Sequence, residues 1–138
     1  MTLEWREQLS VGNDLIDSDH KYLIEIINQA TAGMKNRDRT VFAAAYDNLA
    51  RYSKVHFSRE EQVAAAVGYP GASNLHDSHE DLLKKLDLVG LETGDEWTET
   101  YIKDFSIFLR DWLINHVIKE DLLMKPFMNK FSPRFDPR

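Results

Sequence analysis

Two polar residues interrupt the apolar stripe of one predicted helix. His56 and Glu60 stand four residues apart in the segment 42–67, whose apolar residues recur at alternating steps of three and four. This spacing places both side chains on one helix face, one turn apart, as in helical metal-ligand pairs. Glu61 is predicted to point about 100° away and to be a solvated neighbour. The pair could therefore bind a metal ion through an imidazole and a carboxylate.

The remaining histidines repeat this oddity. All five histidines lie in predicted helices, and each of the four predicted helices carries at least one on its inward side. A single histidine on an apolar face is usually a core residue with satisfied hydrogen bonds. Burying this many imidazoles and carboxylates without strong partners would cost several kcal/mol. A metal cluster is the simplest compensation.

Composition limits the kind of site. The chain has no cysteine, which excludes disulfides, thiolate zinc sites, iron–sulfur clusters and thiol nucleophiles. A metal must then be held by histidine, carboxylate or other oxygen ligands. The net charge of −6, without a basic stripe, argues against a nucleic-acid partner. The N-terminus lacks a secretory signal, and no apolar run approaches the roughly 18 residues of a membrane helix, so we expect a cytoplasmic protein without membrane contact.

The first part of the chain predicts an arm and then a helix. Residues 1–17 show no sustained periodicity and are interpreted as an N-terminal arm packed on the body. Asp17 or Ser18 is predicted to cap the first helix, because short oxygen-bearing side chains bond the free backbone N–H groups there. That helix fades near Gly33 and Asn36.

Three further amphipathic segments follow. The second helix is predicted to begin near Thr40 and to end at residues 68–71, and the third to span residues 72–88 and stop at Gly90. Residues 93–95 are predicted to turn into the fourth. Four amphipathic helices with short connections predict an all-α, up-down-up-down antiparallel four-helix bundle. We expect residues 1–138 to form one domain with a short C-terminal extension.

On the fourth helix, His116 is followed by Asp121, five residues on. In a regular helix their Cβ directions differ by roughly 140°, so periodicity does not pair them. The helix end near Pro126 could let Asp121 turn inward, and spacing leaves this open.

Several motifs together resemble the bacterial hemerythrins. The resemblance extends from Leu3 to about Met128 and is most specific in a His-Phe-x-x-Glu-Glu block and a Trp-x-x-x-His-x-x-x-x-Asp block. The segments that carry it are Trp5, Val11 to Gly12, Ile16 to His20, His56 to Glu61, Gly68 to Pro70, and Trp112 to Asp121.

The resemblance implies an antiparallel four-helix bundle that encloses two iron ions with an oxo or hydroxo bridge. It implies His20 and His56 as ligands of one iron and His116 as a ligand of the other. It also implies that Glu60 and Asp121 bridge the two ions. The resemblance thus resolves the question that spacing left open for Asp121.

The third helix departs from the family pattern. The family has two histidines four apart on this helix, both on the iron of His116, but the first of these positions falls on Leu75 here. His79 lies in the apolar sector of the helix and is predicted to be a ligand, whereas Glu80 should face solvent. His76 lies about 80° from the centre of that sector.

Three outcomes are open for His76. A π-type bulge could rotate it inward and restore five histidine ligands, which is the outcome on which we include it with His79 in the predicted metal site. It could instead stay at the boundary and leave an open or water-filled metal position beside Leu75. It could also be a surface histidine without a role.

A centre rich in imidazole and poor in carboxylate favours oxygen binding over turnover. The resemblance implies O2 as the ligand, for carriage, storage or sensing, and no enzymatic activity. Alternatives are an enzyme that reduces peroxide or nitric oxide or oxidises iron, and a binding module that senses oxygen or iron. Tyr52 is expected to pack in the core with its hydroxyl bonded. The predicted O2 pocket is apolar and consists of Leu23, Phe57, Trp112, Leu113 and Val117.

Overall fold

Four long helices form an antiparallel bundle, which confirms the predicted fold class. The computed structural model describes residues 2–92, 94 and 96–138, and it contains no strand in this part of the chain. The bundle helices are α1 (Asp14–Lys35), α2 (Arg39–Ala66), α3 (Ala72–Glu92) and α4 (Glu99–Lys119). A 3-10 turn at Glu7–Leu9 lies in the N-terminal arm, and a second at Asp121–Met124 precedes the short α5 (Lys125–Met128).

The first helix begins earlier than predicted. Asn13 caps α1, and its side-chain oxygen accepts a hydrogen bond of 3.1 Å from the backbone N–H of Ile16. Asp17, one of the two predicted caps, lies inside the helix and accepts hydrogen bonds from the Ser10 hydroxyl and the Val11 N–H. The prediction of a cap at Asp17 or Ser18 was wrong because the arm uses the Asp17 carboxylate.

The N-terminal arm packs on the bundle, as expected. The side chain of Asn28 in α1 accepts from the backbone N–H of Leu3 at 2.9 Å and donates to its carbonyl at 2.8 Å. Leu9 and Val11 are buried. These contacts attach the arm to the outer side of α1.

The third helix is longer than predicted and continues through Gly90 to Glu92. A Cβ atom at Gly90 would lie 2.8 Å from Cε1 of Tyr46, so the glycine admits the ring of a neighbouring helix. The hydroxyl of Tyr46 donates a hydrogen bond to the carbonyl of Leu86, which fixes that ring against α3. The glycine therefore serves helix packing and does not end the helix.

The fourth helix is capped by Thr98, whose hydroxyl accepts a hydrogen bond of 3.0 Å from the N–H of Tyr101. Of the turn predicted at residues 93–95, Thr93 and Asp95 lie outside the described residues. The helix ends at Lys119, before the 3-10 turn, and Pro126 lies in the first turn of α5. The prediction that Pro126 closes or kinks the fourth helix was therefore wrong, because the helix ends before this residue.

Two apolar clusters fill the interior of the bundle. The larger contains most of the buried side chains of α1, α2 and α4, among them Leu23, Phe57 and Leu113. The smaller joins Val11, Ile16, Val63, Leu75, Met124 and Met128. Along α1 and α2, the predicted polar ligands lie between the two clusters. Among the described residues, no helix has the length and apolar character required to cross a membrane.

Candidate metal centre

Six buried side chains converge between the two apolar clusters. Each helix of the bundle contributes at least one, and the 3-10 turn after α4 contributes the last. None of the six is more than 6% exposed. They are His20 from α1, His56 and Glu60 from α2, His79 from α3, His116 from α4, and Asp121.

Glu60 lies in the middle and turns one carboxylate oxygen to each pair of histidines. Its Oε2 lies 3.0 Å from Nε2 of His56 and 3.3 Å from Nε2 of His20. Its Oε1 lies 3.1 Å from Nε2 of His79 and 3.5 Å from Nε2 of His116. A carboxylate shared in this way has the disposition of a bridge between two metal positions.

Asp121 repeats the arrangement. Its Oδ2 lies 3.1 Å from Nε2 of His20, and its Oδ1 lies 3.0 Å from Nε2 of His116. The 3-10 turn at Asp121–Met124 breaks the helical register after Lys119 and brings this carboxylate into the interior. The regular spacing from His116 would have pointed it elsewhere.

The ligand atoms form two overlapping groups, each with its atoms within 4.8 Å of one another. We call them position A, formed by His20, His56, Glu60 and Asp121, and position B, formed by His79, His116, Glu60 and Asp121. Because both groups share the same two carboxylates, the arrangement is that of a dinuclear centre.

The chemistry of these atoms fits bound metal ions. Six nitrogen and oxygen atoms of these residues are buried without a hydrogen bond of suitable geometry, although several lie close to one another, and this is costly in a protein interior. They are imidazole nitrogens and carboxylate oxygens, the donors that first-row divalent metals take in proteins. Two ions between the imidazole pairs would satisfy most of them. The unpartnered atoms are Nδ1 and Nε2 of His20, Nε2 of His56, Oε2 of Glu60, and both carboxylate oxygens of Asp121.

A family model described as the hemerythrin HHE cation-binding domain matches residues 11–128. The chain belongs to the hemerythrin family. Bacteriohemerythrin of Clostridium acetobutylicum is 27% identical over 124 residues, covering 85% of this chain and 94% of the relative. Bacteriohemerythrin of Stenotrophomonas maltophilia is 26% identical over 136 residues, covering 94% and 86%.

A hemerythrin-like protein of Naegleria gruberi is 27% identical over 122 residues, covering 88% of this chain and 89% of the relative. A crystal structure of a leucine-to-phenylalanine mutant matches with a TM-score of 0.79 and 22% identity, covering 91% of this chain and 96% of that one. At this level of identity, the similarity to the mutant structure is evidence for the fold alone.

In this chain His20, His56 and His116 carry raised pKa values. Burial lowers the pKa of His20, but the carboxylates of Asp121 and Glu60 outweigh it and raise the value to about 9. The same opposition raises the pKa of His116 to about 12, with Asp121 as the main partner. Without metal the imidazoles therefore hold protons against the carboxylates, and metal binding there would displace those protons.

The pKa values of the two shared carboxylates, Glu60 and Asp121, are shifted in opposite directions. Burial raises the pKa of Asp121, and the negative charge of Glu60 raises it further. Burial acts the same way on Glu60, but hydrogen bonding with Asp121 and the charge of His56 lower its pKa well below the usual range. Two carboxyl groups this close do not readily ionise together, and cations between or beside them would favour the ionised form of both.

Three of the four metal-facing histidines have a carboxylate at the ring nitrogen that points away from the centre. Such a partner fixes the tautomer that leaves Nε2 free for a metal. Sequence reasoning assigned no role to these carboxylates. The contacts join Nδ1 of His56 to Asp19 at 3.0 Å, Nδ1 of His79 to Glu61 at 2.9 Å, and Nδ1 of His116 to Glu120 at 2.6 Å.

Glu61 differs from its prediction as a solvated neighbour. Its side chain is 26% exposed, and its two oxygens face His76 and His79 on α3. Only Glu120 had a sequence signal, since it stands four residues after His116, at the C-terminal cap of α4. Glu61 reaches across to another helix, and no periodicity within α2 predicts that.

The structure corrects the expectation for His76. Helix α3 is a regular α-helix without a π-type bulge, so His76 is not rotated inward and belongs to neither metal position. Its side chain is 55% exposed, and its Nδ1 lies 2.5 Å from Oε1 of Glu61. Leu75 takes the inward place with 3% exposure and packs in the smaller apolar cluster. Glu80 is exposed, as predicted.

The five residues predicted as an O2 pocket are all buried and belong to the larger apolar cluster. Phe57 contacts the metal-facing histidines directly. Its ring stacks on His79 with centroids 4.1 Å apart and meets the His116 ring edge-on at 5.7 Å. The indole N–H of Trp112 donates to the carbonyl of Leu82 at 3.0 Å. An apolar wall therefore adjoins position B.

Tyr52 packs against the bundle with its hydroxyl bonded, as expected. The hydroxyl donates to Oδ1 of Asp19 at 2.5 Å, and Oδ2 of Asp19 lies 3.0 Å from Nδ1 of His56. Although burial opposes it, hydrogen bonds to His56 and Tyr52 hold the pKa of Asp19 below its usual range. Tyr52 is thus linked to His56 through Asp19.

Replacing Tyr52 by Phe should leave the metal content unchanged, because Asp19 keeps its contacts with His56 and with Arg59 at 3.4 Å. The measurement is metal per chain by elemental analysis, together with the visible spectrum of the loaded protein. Loss of metal from Tyr52→Phe, but not from Tyr46→Phe, would show that Tyr52 has a more direct role.

The placement of the two α3 histidines predicts opposite results for matched variants. His79→Gln should lose one metal ion per chain, because position B keeps a single imidazole. His76→Gln should keep both ions when metal is supplied in excess, since this side chain faces solvent and Glu61. Elemental analysis after gel filtration measures the count, and equal losses in the two variants would contradict the assignment.

Proposed function

We propose that this hemerythrin binds dioxygen reversibly at a centre of two iron ions. The observation that carries the proposal is the split of Glu60 and Asp121, each of which turns one oxygen to each side of the centre. Its relatives carry the names bacteriohemerythrin and hemerythrin-like protein, which support the same kind of site.

In this proposal each ion takes two imidazoles. His20 and His56 would hold iron at position A, His79 and His116 would hold iron at position B, and Glu60 and Asp121 would be shared between the two positions. The iron, when bound, supplies the electrons for oxygen binding. The protein holds the ligands in place, and the carboxylates balance the charge of the metal ions.

The surroundings favour binding over turnover. In the described part of the chain, the buried ionisable side chains are the six of the centre and Asp19, which contacts His56. The Tyr52 hydroxyl is engaged by the same aspartate. No further buried acid is then at hand to drive a reaction, and the apolar wall limits access of water and protons. The proposed O2 pocket comprises Leu23, Phe57, Trp112, Leu113 and Val117.

One observation favours an enzymatic alternative. Leu75 occupies the place of a family histidine, so position B has two imidazoles, as position A has. Iron commonly accepts more ligands than that, and a second exchangeable place would suit reduction of peroxide or nitric oxide. Catalytic turnover of either substrate by the iron-loaded protein is the result that would select this alternative.

The decisive test is a spectrum of reduced, iron-loaded protein before and after exposure to air. We expect about two iron ions per chain, and a visible absorption band that appears with oxygen and disappears on deoxygenation. Glu60→Gln, which weakens both positions, is the matched negative control. Two bound irons with rapid, irreversible oxidation would contradict reversible binding.

The apolar wall next to position B leads to a prediction about the lifetime of the oxygenated protein. Phe57→Leu should speed its conversion to the oxidised form, because the stacked ring that covers His79 is lost and water gains access. Phe105→Leu is the matched control, since Phe105 is buried in the same cluster and its ring contacts are with Phe42, Tyr46, Tyr101 and Phe108. The decay rate of the visible band is the readout, and equal rates in both variants would contradict a shielding role.

A further inference from the structure

We propose that Glu61 and Glu120 are positioning residues that compensate at position B for the histidine that Leu75 replaces. The inference rests on the proposed function to the extent that a metal ion occupies position B. In this inference the two carboxylates do not bind the metal themselves, and they orient and polarise the imidazoles that would bind it.

The two metal positions differ in what stands behind their histidines. At position B both imidazoles contact a carboxylate through Nδ1, with Glu61 at 2.9 Å from His79 and Glu120 at 2.6 Å from His116. At position A only His56 has such a partner. Nδ1 of His20 is buried without a hydrogen-bond partner.

The partner at position A has a second set of contacts. Asp19 contacts His56 with one oxygen, and its other oxygen accepts from Tyr52 and lies 3.4 Å from the guanidinium of Arg59. The carboxylates at position B also have second partners, so the two positions differ in the number of carboxylates. One carboxylate contacts the imidazoles of position A from behind, and two contact those of position B.

Both carboxylates at position B are held from the outside by α3. Nδ1 of His76 lies 2.5 Å from Oε1 of Glu61, and the hydroxyl of Ser78 donates to Oε1 of Glu120 at 2.5 Å. Both supports lie within the three residues that precede His79 in the sequence. One helix therefore supplies a ligand and orients the two carboxylates behind both ligands, and the histidine displaced to residue 76 becomes part of that support.

The physical effect of such partners is well defined. A carboxylate that accepts from Nδ1–H fixes the ring orientation, keeps the Nε2 lone pair free and makes it a stronger donor. Two strengthened imidazoles offset the loss of one neutral nitrogen ligand. Removal of an outer carboxylate typically lowers metal affinity by about 10- to 100-fold.

Solvated helix-surface residues would not show this pattern. Glu61 has both oxygens engaged and is 26% exposed, and Glu120 likewise has both oxygens in contact, one with His116 and one with Ser78. Glu80 is a carboxylate on α3 that is exposed and lies outside this set of contacts. It provides the comparison for the experiment.

The test uses the full chain, stripped of metal and titrated with cobalt(II) against a competing chelator. Cobalt is the probe because its visible bands report the ligands and geometry of each position. We expect two cobalt ions per wild-type chain, and in Glu61→Ala or Glu120→Ala a loss of about 10- to 100-fold in affinity at one position only. The bands of that ion should change, while the thermal unfolding of the metal-free protein stays close to wild type.

Three further variants separate the loss of charge and hydrogen bonding from general damage to the structure. Glu61→Gln keeps an acceptor for His79 and should lose less affinity than Glu61→Ala, whereas Glu80→Ala should match wild type. Leu75→His in the Glu61→Ala background should recover the lost affinity, because it restores the missing ligand.

Unchanged cobalt affinity and spectrum in Glu61→Ala and Glu120→Ala would overturn the inference. A folded double variant that recovers no affinity would overturn the compensation by these carboxylates. A wild-type chain that binds fewer than two cobalt ions would instead contradict the dinuclear centre on which the proposed function depends, so the two failures are distinguishable.

Discussion

The placement of two carboxylates among four imidazoles inside the bundle is the constraint on which the rest of the structure depends. Ionised groups this deeply buried are stable only when each has a partner of opposite charge or a metal ion. Glu60 and Asp121 therefore require the surrounding histidines, and the histidines require all four helices to approach the same point. Bundle geometry and site geometry are two aspects of one arrangement.

This requirement explains features that look like local details. The helix α4 ends at Lys119 so that a 3-10 turn can carry Asp121 inward, where a continued helix would point it away from His116. Asn13 caps α1, and Asp17 binds the arm to the start of that helix. Asp17 lies about one turn before His20, so these contacts hold the chain close to the first histidine. Apolar clusters on both sides of the centre then exclude water along the bundle axis.

The bundle was predictable, and so was the convergence of polar residues inside it where the relevant spacing lies within one helix. His56 and Glu60 followed from a four-residue step, and His79 from its place in an apolar sector. Asp121 was not, because its position depends on how α4 ends, and only the family resemblance supplied it. Glu61 was misjudged because its partners lie on α3, and a helical wheel contains no information about a neighbouring helix.

The region around Leu75 shows how a departure from a family pattern can be absorbed. A bulge that turned His76 inward would have had to displace Leu75 from the apolar cluster and disrupt the hydrogen bonds of α3. The regular helix keeps Leu75 packed and leaves His76 facing Glu61. The displaced imidazole is thereby one step removed from the centre, with a carboxylate between it and His79. Because packing favours the regular helix, α3 does not supply a second histidine to position B. In our proposal, Glu61 and Glu120 compensate for that missing histidine through their contacts with His79 and His116.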